Sequence, residues 1–173
     1  MEFNSIKKGD HIVYSTNGVC LVDEITQMTF PGSGEQKTYL LLRPLKDAAS
    51  VIYIPHDNQV LLGRLRPLLS SKQASELLNT DHCAADWIDD RKQRALAFRN
   101  LLLESDPATL LPLIKCICRK RDELITQNKK LSNADRELLS AALDAVCNEF
   151  AFTLGHSRET VEESIKISLG IAL

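Results

Sequence analysis

The apolar residues of this 173-residue chain change their period once, between Gly63 and Ser70. Before that point short runs alternate with turn residues; after it glycine nearly vanishes and apolar positions recur every three or four residues. A period of two buries one face of a strand and a period near 3.6 buries one stripe of a helix, so neither pattern folds as the other. The class is therefore α+β, with a β-module over residues 1–66 and an all-α bundle over 67–173. At 44% hydrophobic and 25% charged, the chain has room for one or two small cores.

The β-module opens on a Lys8-Gly9-Asp10 turn that feeds the run His11-Ile12-Val13-Tyr14. The chain resumes as Val19 to Ile25 after Ser15-Thr16-Asn17-Gly18, where Asn-Gly supplies the positive φ of a tight reversal. Thr26 to Phe30, a Pro31-Gly32-Ser33-Gly34 reversal, Thr38 to Arg43 and Val51 to Pro55 follow, and Gly63 to Pro67 reads as a link. Four to five short antiparallel strands of this spacing suit a small SH3-like or Tudor-like barrel, with Pro55 marking a strand end or an edge.

Five helices are expected beyond Ser70. They are Ser71–Leu78; Trp87–Glu104, capped by Asp86, with the stripe Ala95, Phe98, Leu101 and Leu102; a third after Asp106-Pro107 to about Lys129; Ser132 to Leu154; and Arg158 to about Leu169. Ser132 and Asp135 approximate a capping box, and Gly155 ends the fourth helix.

Charge is unevenly spread. Ile88 to Arg136 carries eleven basic against seven acidic residues, net +4, whereas Glu137 to Leu173 carries six acids against Arg158 and Lys166, net −4. Local fields of this kind matter more to a partner than the formal total of −2. Cys20, Cys83, Cys116, Cys118 and Cys147 lack CxxC spacing and read as structural thiols of a reducing compartment, with no metal and no cofactor expected. His11, His56, His82 and His156 fall in no nucleophile or metal motif, and GxGxxG, P-loop, GxSxG and HExxH patterns are missing, so no enzymatic activity is expected. The polar N-terminus and the lack of a 20-residue apolar run make a cytoplasmic protein the expectation.

Binding is the better supported class. Phe3, Gly9-Asp10, Ile12-Val13-Tyr14, Asn17-Gly18-Val19, Val22 and Ile25, followed by Tyr39-Leu40-Leu41-Leu42 and Ile54-Pro55, resemble the CarD-type RNA-polymerase-interacting module, which also occurs in transcription-repair coupling factors. Asp86-Trp87, the basic helix after it and Leu131-Ser132-x-Ala134-Asp135-Arg136 extend the resemblance to stand-alone CarD-like regulators. It implies a bacterial transcription regulator whose β-module adds an edge strand to the lobe of the RNA polymerase β subunit while its helical domain contacts promoter DNA and stabilises the open complex. By position, the polymerase-facing residues are Gln27, Met28 and Thr29 on one strand and Ile52 and Tyr53 on another. Better-known relatives carry arginines where Met28 and Tyr53 align. If Ile52 and Ile54 point inward, Tyr53 points outward as an interface anchor.

The same resemblance makes Trp87 a wedge at the upstream edge of the promoter bubble, with Arg91, Lys92, Arg94, Arg119, Lys120, Arg121 and Arg136 binding phosphates without regard to sequence. Asp89 and Asp90, where a relative has arginines, oppose that role. A monomer is expected. The competing reading is a protein-interaction adaptor that uses the β-module alone, its helical domain binding another protein or dimerising through the acidic last helix.

Overall fold

The structure, a computed structural model, describes residues 5–29 and 34–172. It divides into two compact units, Met1–Leu68 and Leu69–Leu173. Most of the expected Pro31-Gly32-Ser33-Gly34 reversal lies outside the described residues.

The first unit is a five-stranded antiparallel sheet: β1 (His11–Tyr14), β2 (Val19–Met28), β3 (Lys37–Pro44), β4 (Ile52–Pro55) and β5 (Leu65–Pro67), in the order β4-β3-β2-β1-β5. Among the described residues no ladder joins β4 to β5, so the sheet is open where a closed barrel was expected. The link expected over Gly63–Pro67 contains β5, which pairs Leu65 with Tyr14 and Pro67 with Ile12. A one-turn helix, α1 (Gln59–Leu62), precedes it, capped by Asn58. The β1–β2 connection is a 3-10 turn over Ser15–Asn17; Gly18 (φ 72°) and Ser15 (φ 45°) supply the positive φ rather than a two-residue Asn-Gly turn.

The two runs expected at Val19–Ile25 and Thr26–Phe30 are one ten-residue strand, β2. Its inward residues Cys20, Val22 and Ile25 are spaced two and then three apart, so a strict pleat would turn Ile25 outward. A bulge between Val22 and Glu24 absorbs the extra residue and returns Ile25 to the core opposite Leu40. Asp23, the residue so displaced, accepts from Arg43 Nη2 at 2.6 Å, and Arg43 Nη1 also donates to Ala48 O. The core is built from Ile12, Tyr14, Cys20, Val22, Leu40, Leu42, Ile54 and Leu65.

The second unit holds α2 (Ser71–Asn79), α3 (Arg91–Glu104), α4 (Pro107–Thr126), α5 (Asn133–Leu154) and α6 (Arg158–Leu169). The full capping box lies at α2, where Ser70 Oγ accepts from Gln73 N and Gln73 Oε1 accepts from Ser70 N. At α5, Ser132 caps the backbone of Asp135, but the Asp135 carboxylate turns to Arg94 and leaves the box half made. The central helix is α4, buried without a break from Leu113 to Cys118. From α5 the residues Leu139, Ala142, Val146 and Phe150 are buried, and from α6 Val161, Ile165 and Leu169, each of these last three worth about 1.5–3 kcal/mol. In α3 the expected stripe holds at Phe98, Leu101 and Leu102, which face the core, but Ala95 is exposed and Arg94 is buried in its place.

Candidate functional site

In the sheet, cross-strand partners share a face. Cys20, Val22, Ile25, Leu40, Leu42, Ile52 and Ile54 therefore line the core side, whereas Met28 with Lys37, Thr26 with Tyr39 and Pro55, and Glu24 with Leu41 and Tyr53 occupy the other. Tyr53 is 42% exposed beside Ile54, which is fully buried. Met28 is half-buried, directly opposite Lys37, whose Nζ pairs with Asp57 at 2.7 Å.

Among the described residues, this sheet has unladdered edges at both terminal strands, β4 and β5, and along part of β2. Strand β4 is the last on its side, so its outer edge is unladdered. On the opposite side, β1 pairs with β2 only as far as Leu21, with final bonds from Val22 N to Asp10 O and from Gly9 N to Val22 O, both 2.8 Å. Beyond Val22 no described strand covers β2 on that side, so Asp23 to Met28 expose an edge able to accept another strand.

In the helical unit, Trp87 lies outside any helix, on an irregular segment between α2 and α3. That segment is fixed to its surroundings along its length. The His82 ring meets Leu77 O at 2.7 Å, the buried Lys115 Nζ donates to His82 O at 2.7 Å and pairs with Asp81, and Ala85 N donates to Pro112 O. Arg94 completes it, reaching back from α3 to donate through Nη1 to Ile88 O (2.7 Å) and Asp89 O (3.1 Å). These bonds divert the Ile88 and Asp89 carbonyls, so the helix expected to start at Trp87 under an Asp86 cap starts instead at Arg91, with Asp90 Oδ1 accepting from Gln93 N at 2.8 Å.

The same guanidinium ends the reading of Arg94 as a phosphate ligand. Its Nε and Nη2 donate to the two oxygens of Asp135 at 3.1 and 3.2 Å, with both side chains about nine-tenths buried. Burial alone would raise the Asp135 carboxyl, but hydrogen bonds from Arg94 and Ser132 and the Arg94 charge outweigh it and hold the group below the usual carboxylate range. The guanidinium carbon also lies 4.3 Å from the Trp87 ring centroid, Lys120 Nζ stands 5.6 Å from it, and Phe98 meets the indole edge-on at 6.1 Å. Trp87 is thus half-buried and held by a cation, a support worth about 0.5–2 kcal/mol.

Residues 6–68 match the family model described as the CarD-like/TRCF RID domain. The first unit is a CarD-like/TRCF RID domain. Such a domain implies a transcription-related protein that interacts with RNA polymerase. A search of curated proteins finds no match.

Within the RID domain, Met28 and Tyr53 share the face away from the core, on strands separated by β3. Gln27 is exposed on the opposite side of β2, and Thr29 is exposed just past its end. Ile52 does not belong with Tyr53: it packs against the core, because alternate residues of β4 must face opposite ways. In the helical unit Arg91 and Lys92 are exposed in the first turn of α3, and Arg119 is exposed on α4. Lys120 faces Trp87 and also pairs with Glu123 at 3.0 Å. Arg119, Lys120 and Arg121 do not act as one cluster, since successive helical residues point about 100° apart. Arg121 pairs with Asp122 and donates to Ala172 O, and Arg136 donates to Asn133 Oδ1. Sequence reasoning missed Lys115 and Asp135; Ser132 before Asp135 was visible as a cap, but a carboxylate facing an arginine 41 positions earlier left no local signal.

Among the described residues no group of three His, Cys, Asp or Glu side chains is placed to hold a metal ion, and no single helix is long and apolar enough to cross a membrane. Burial pushes the Cys20, Cys118 and Cys147 thiols up to about 11, so these three are protonated at neutral pH.

Proposed function

We propose that the RID domain binds the lobe of the RNA polymerase β subunit by strand addition at the open edge of β2, with Met28 and Tyr53 as apolar contacts. The helical unit then contacts promoter DNA at the upstream edge of the bubble and holds the open complex. On this reading the protein is a monomeric, non-enzymatic cytoplasmic regulator of bacterial transcription, and the open sheet curls as in Tudor-like modules. Relatives with arginine at the position of Met28 place a charge there; in this chain Lys37 stands directly across the ladder from it.

The observation that carries the DNA half is the placement of Trp87. A tryptophan on an irregular segment, fixed through His82, Ala85 and the Ile88 and Asp89 carbonyls and braced by Arg94, is an indole presented with little freedom left to lose on binding. Exposed Arg91, Lys92 and Arg119 supply charge to phosphates, while Asp89 and Asp90 on the same segment weaken that attraction. A protein that binds the open complex better than the closed one shifts the equilibrium by its difference in affinity.

The test is promoter opening by bacterial RNA polymerase, followed with a fluorescent base in the bubble. An aromatic stacking contact is worth roughly 1–3 kcal/mol, so Trp87→Ala should shorten the lifetime of the open complex by at least about fivefold. Polymerase binding by the variant should be unchanged. An unchanged lifetime would remove the wedge, and loss of polymerase binding only with Tyr53→Ala or Met28→Asp would leave the docking half standing alone.

A further inference from the structure

A second binding surface lies between the C-terminal half of α4 and the first half of α5. Leu131, Leu139 and Leu143 form the floor of an open groove of about 450 Å³, and Ile125, 60% exposed, stands as its wall. Arg121, Lys130 and Arg136 stand around it. A face with this much apolar surface is poorly suited to tracking phosphates, which reward charge and polar donors. It suits an apolar anchor surrounded by negative charge.

Arg121 and Lys120 follow each other on α4 and so point about 100° apart. Lys120 is turned to Trp87 and Arg121 to the groove. The cations first grouped as a single phosphate-binding set therefore serve two surfaces. Within the rim, Asp122 takes up part of the Arg121 charge at 2.9 Å, and Glu137 lies beside Arg136 at the outer end. Lys130 and Arg136, the latter's guanidinium donating to the neutral Asn133 side chain, carry the remaining positive field.

We infer that this groove docks an acidic amphipathic helix of a partner protein, its apolar side chains at i and i+3 or i+4 entering between α4 and α5 and its carboxylates meeting Lys130 and Arg136. The geometry is that of a helix laid in a groove formed by two others, where apolar anchors supply affinity and the charged rim supplies selection and orientation. The volume falls within the usual range for a specific pocket, about 300–1,000 Å³, and the open side leaves room for a helix backbone along it.

The probe is a labelled helical peptide with two leucines one turn apart flanked by glutamates, titrated against the full chain by fluorescence anisotropy without polymerase or DNA. The result is thereby independent of the function proposed above. The acidic peptide should bind at least tenfold more tightly than one in which lysines replace the glutamates. Ile125→Asp, at an exposed position where the fold is not at stake, should weaken it about tenfold. The pair Lys130→Glu and Arg136→Glu should reverse the preference between the two peptides, with an unchanged urea midpoint showing that the fold persists. Equal binding of both peptides, insensitivity to Ile125→Asp, or no binding at millimolar peptide would overturn the inference. So would binding of a medium-chain fatty acid anion, decanoate, in place of the acidic peptide, which would make the groove a site for a small amphiphile.

Discussion

Replacing Arg94 by methionine tests how the segment bearing Trp87 is held. The substitution keeps most of the buried stem and deletes the guanidinium, with its two bonds to Asp135 and two to the Ile88 and Asp89 carbonyls. Removing one member of a buried ion pair costs about 3–5 kcal/mol, because the other charge stays behind without compensation. The lower end, about 3 kcal/mol, is expected because Ser132 Oγ still donates to Asp135 Oδ2 at 2.6 Å. With a urea slope of about 1.5 kcal/mol/M, that loss lowers the unfolding midpoint by about 2 M. Trp87, the single tryptophan, reports both the unfolding and, through its native emission, the loss of the cation at its ring. Adding Asp135→Asn to Arg94→Met removes the stranded charge and should recover at least half of the loss. The reasoning fails if the single variant stays within about 1 kcal/mol of the wild type, or if the double variant is no better than the single.

The pH dependence of the same pair has a definite sign. Asp135 is held below its unfolded value of about 3.9, so its stabilisation is fully present above that pH and is lost as pH falls through the depressed native value. The contribution of Asp135 to wild-type stability should therefore be constant near neutrality and be lost as pH falls below about 4, as urea melts of the wild type at a series of pH values would show. Gly18→Ala meets no atom within 4 Å but forces alanine to φ 72°, ψ −146°, and should cost about 1–3 kcal/mol in the same assay. Thiol labelling of the native protein at pH 7 should modify the exposed Cys83 and leave buried Cys20, Cys116, Cys118 and Cys147 untouched until denaturant is added. Rapid labelling of two or more thiols in the folded state would contradict the burial.

The sequence by itself determined the elements and much of where they end. A change of apolar period separates strands from helices, and Ser132, Ser157, Asp106-Pro107 and Gly155 mark helix ends because a cap acts within one turn of the chain. The outward Tyr53 was legible for the same reason, since alternation along four residues is local. Tertiary structure alone decided the rest. That β2 runs unbroken through a bulge follows from its pairing with β3, and that Leu65–Pro67 is a strand follows from the edge β1 offers it. Arg94, read as one more surface cation, turns inward because Asp135 waits for it from another helix. Its bonds to the Ile88 and Asp89 carbonyls then set back the start of α3 and leave Trp87 on an irregular segment. A charge on a helix carries no mark of its partner; burial and pairing are properties of the packed whole, fixed only when distant segments meet.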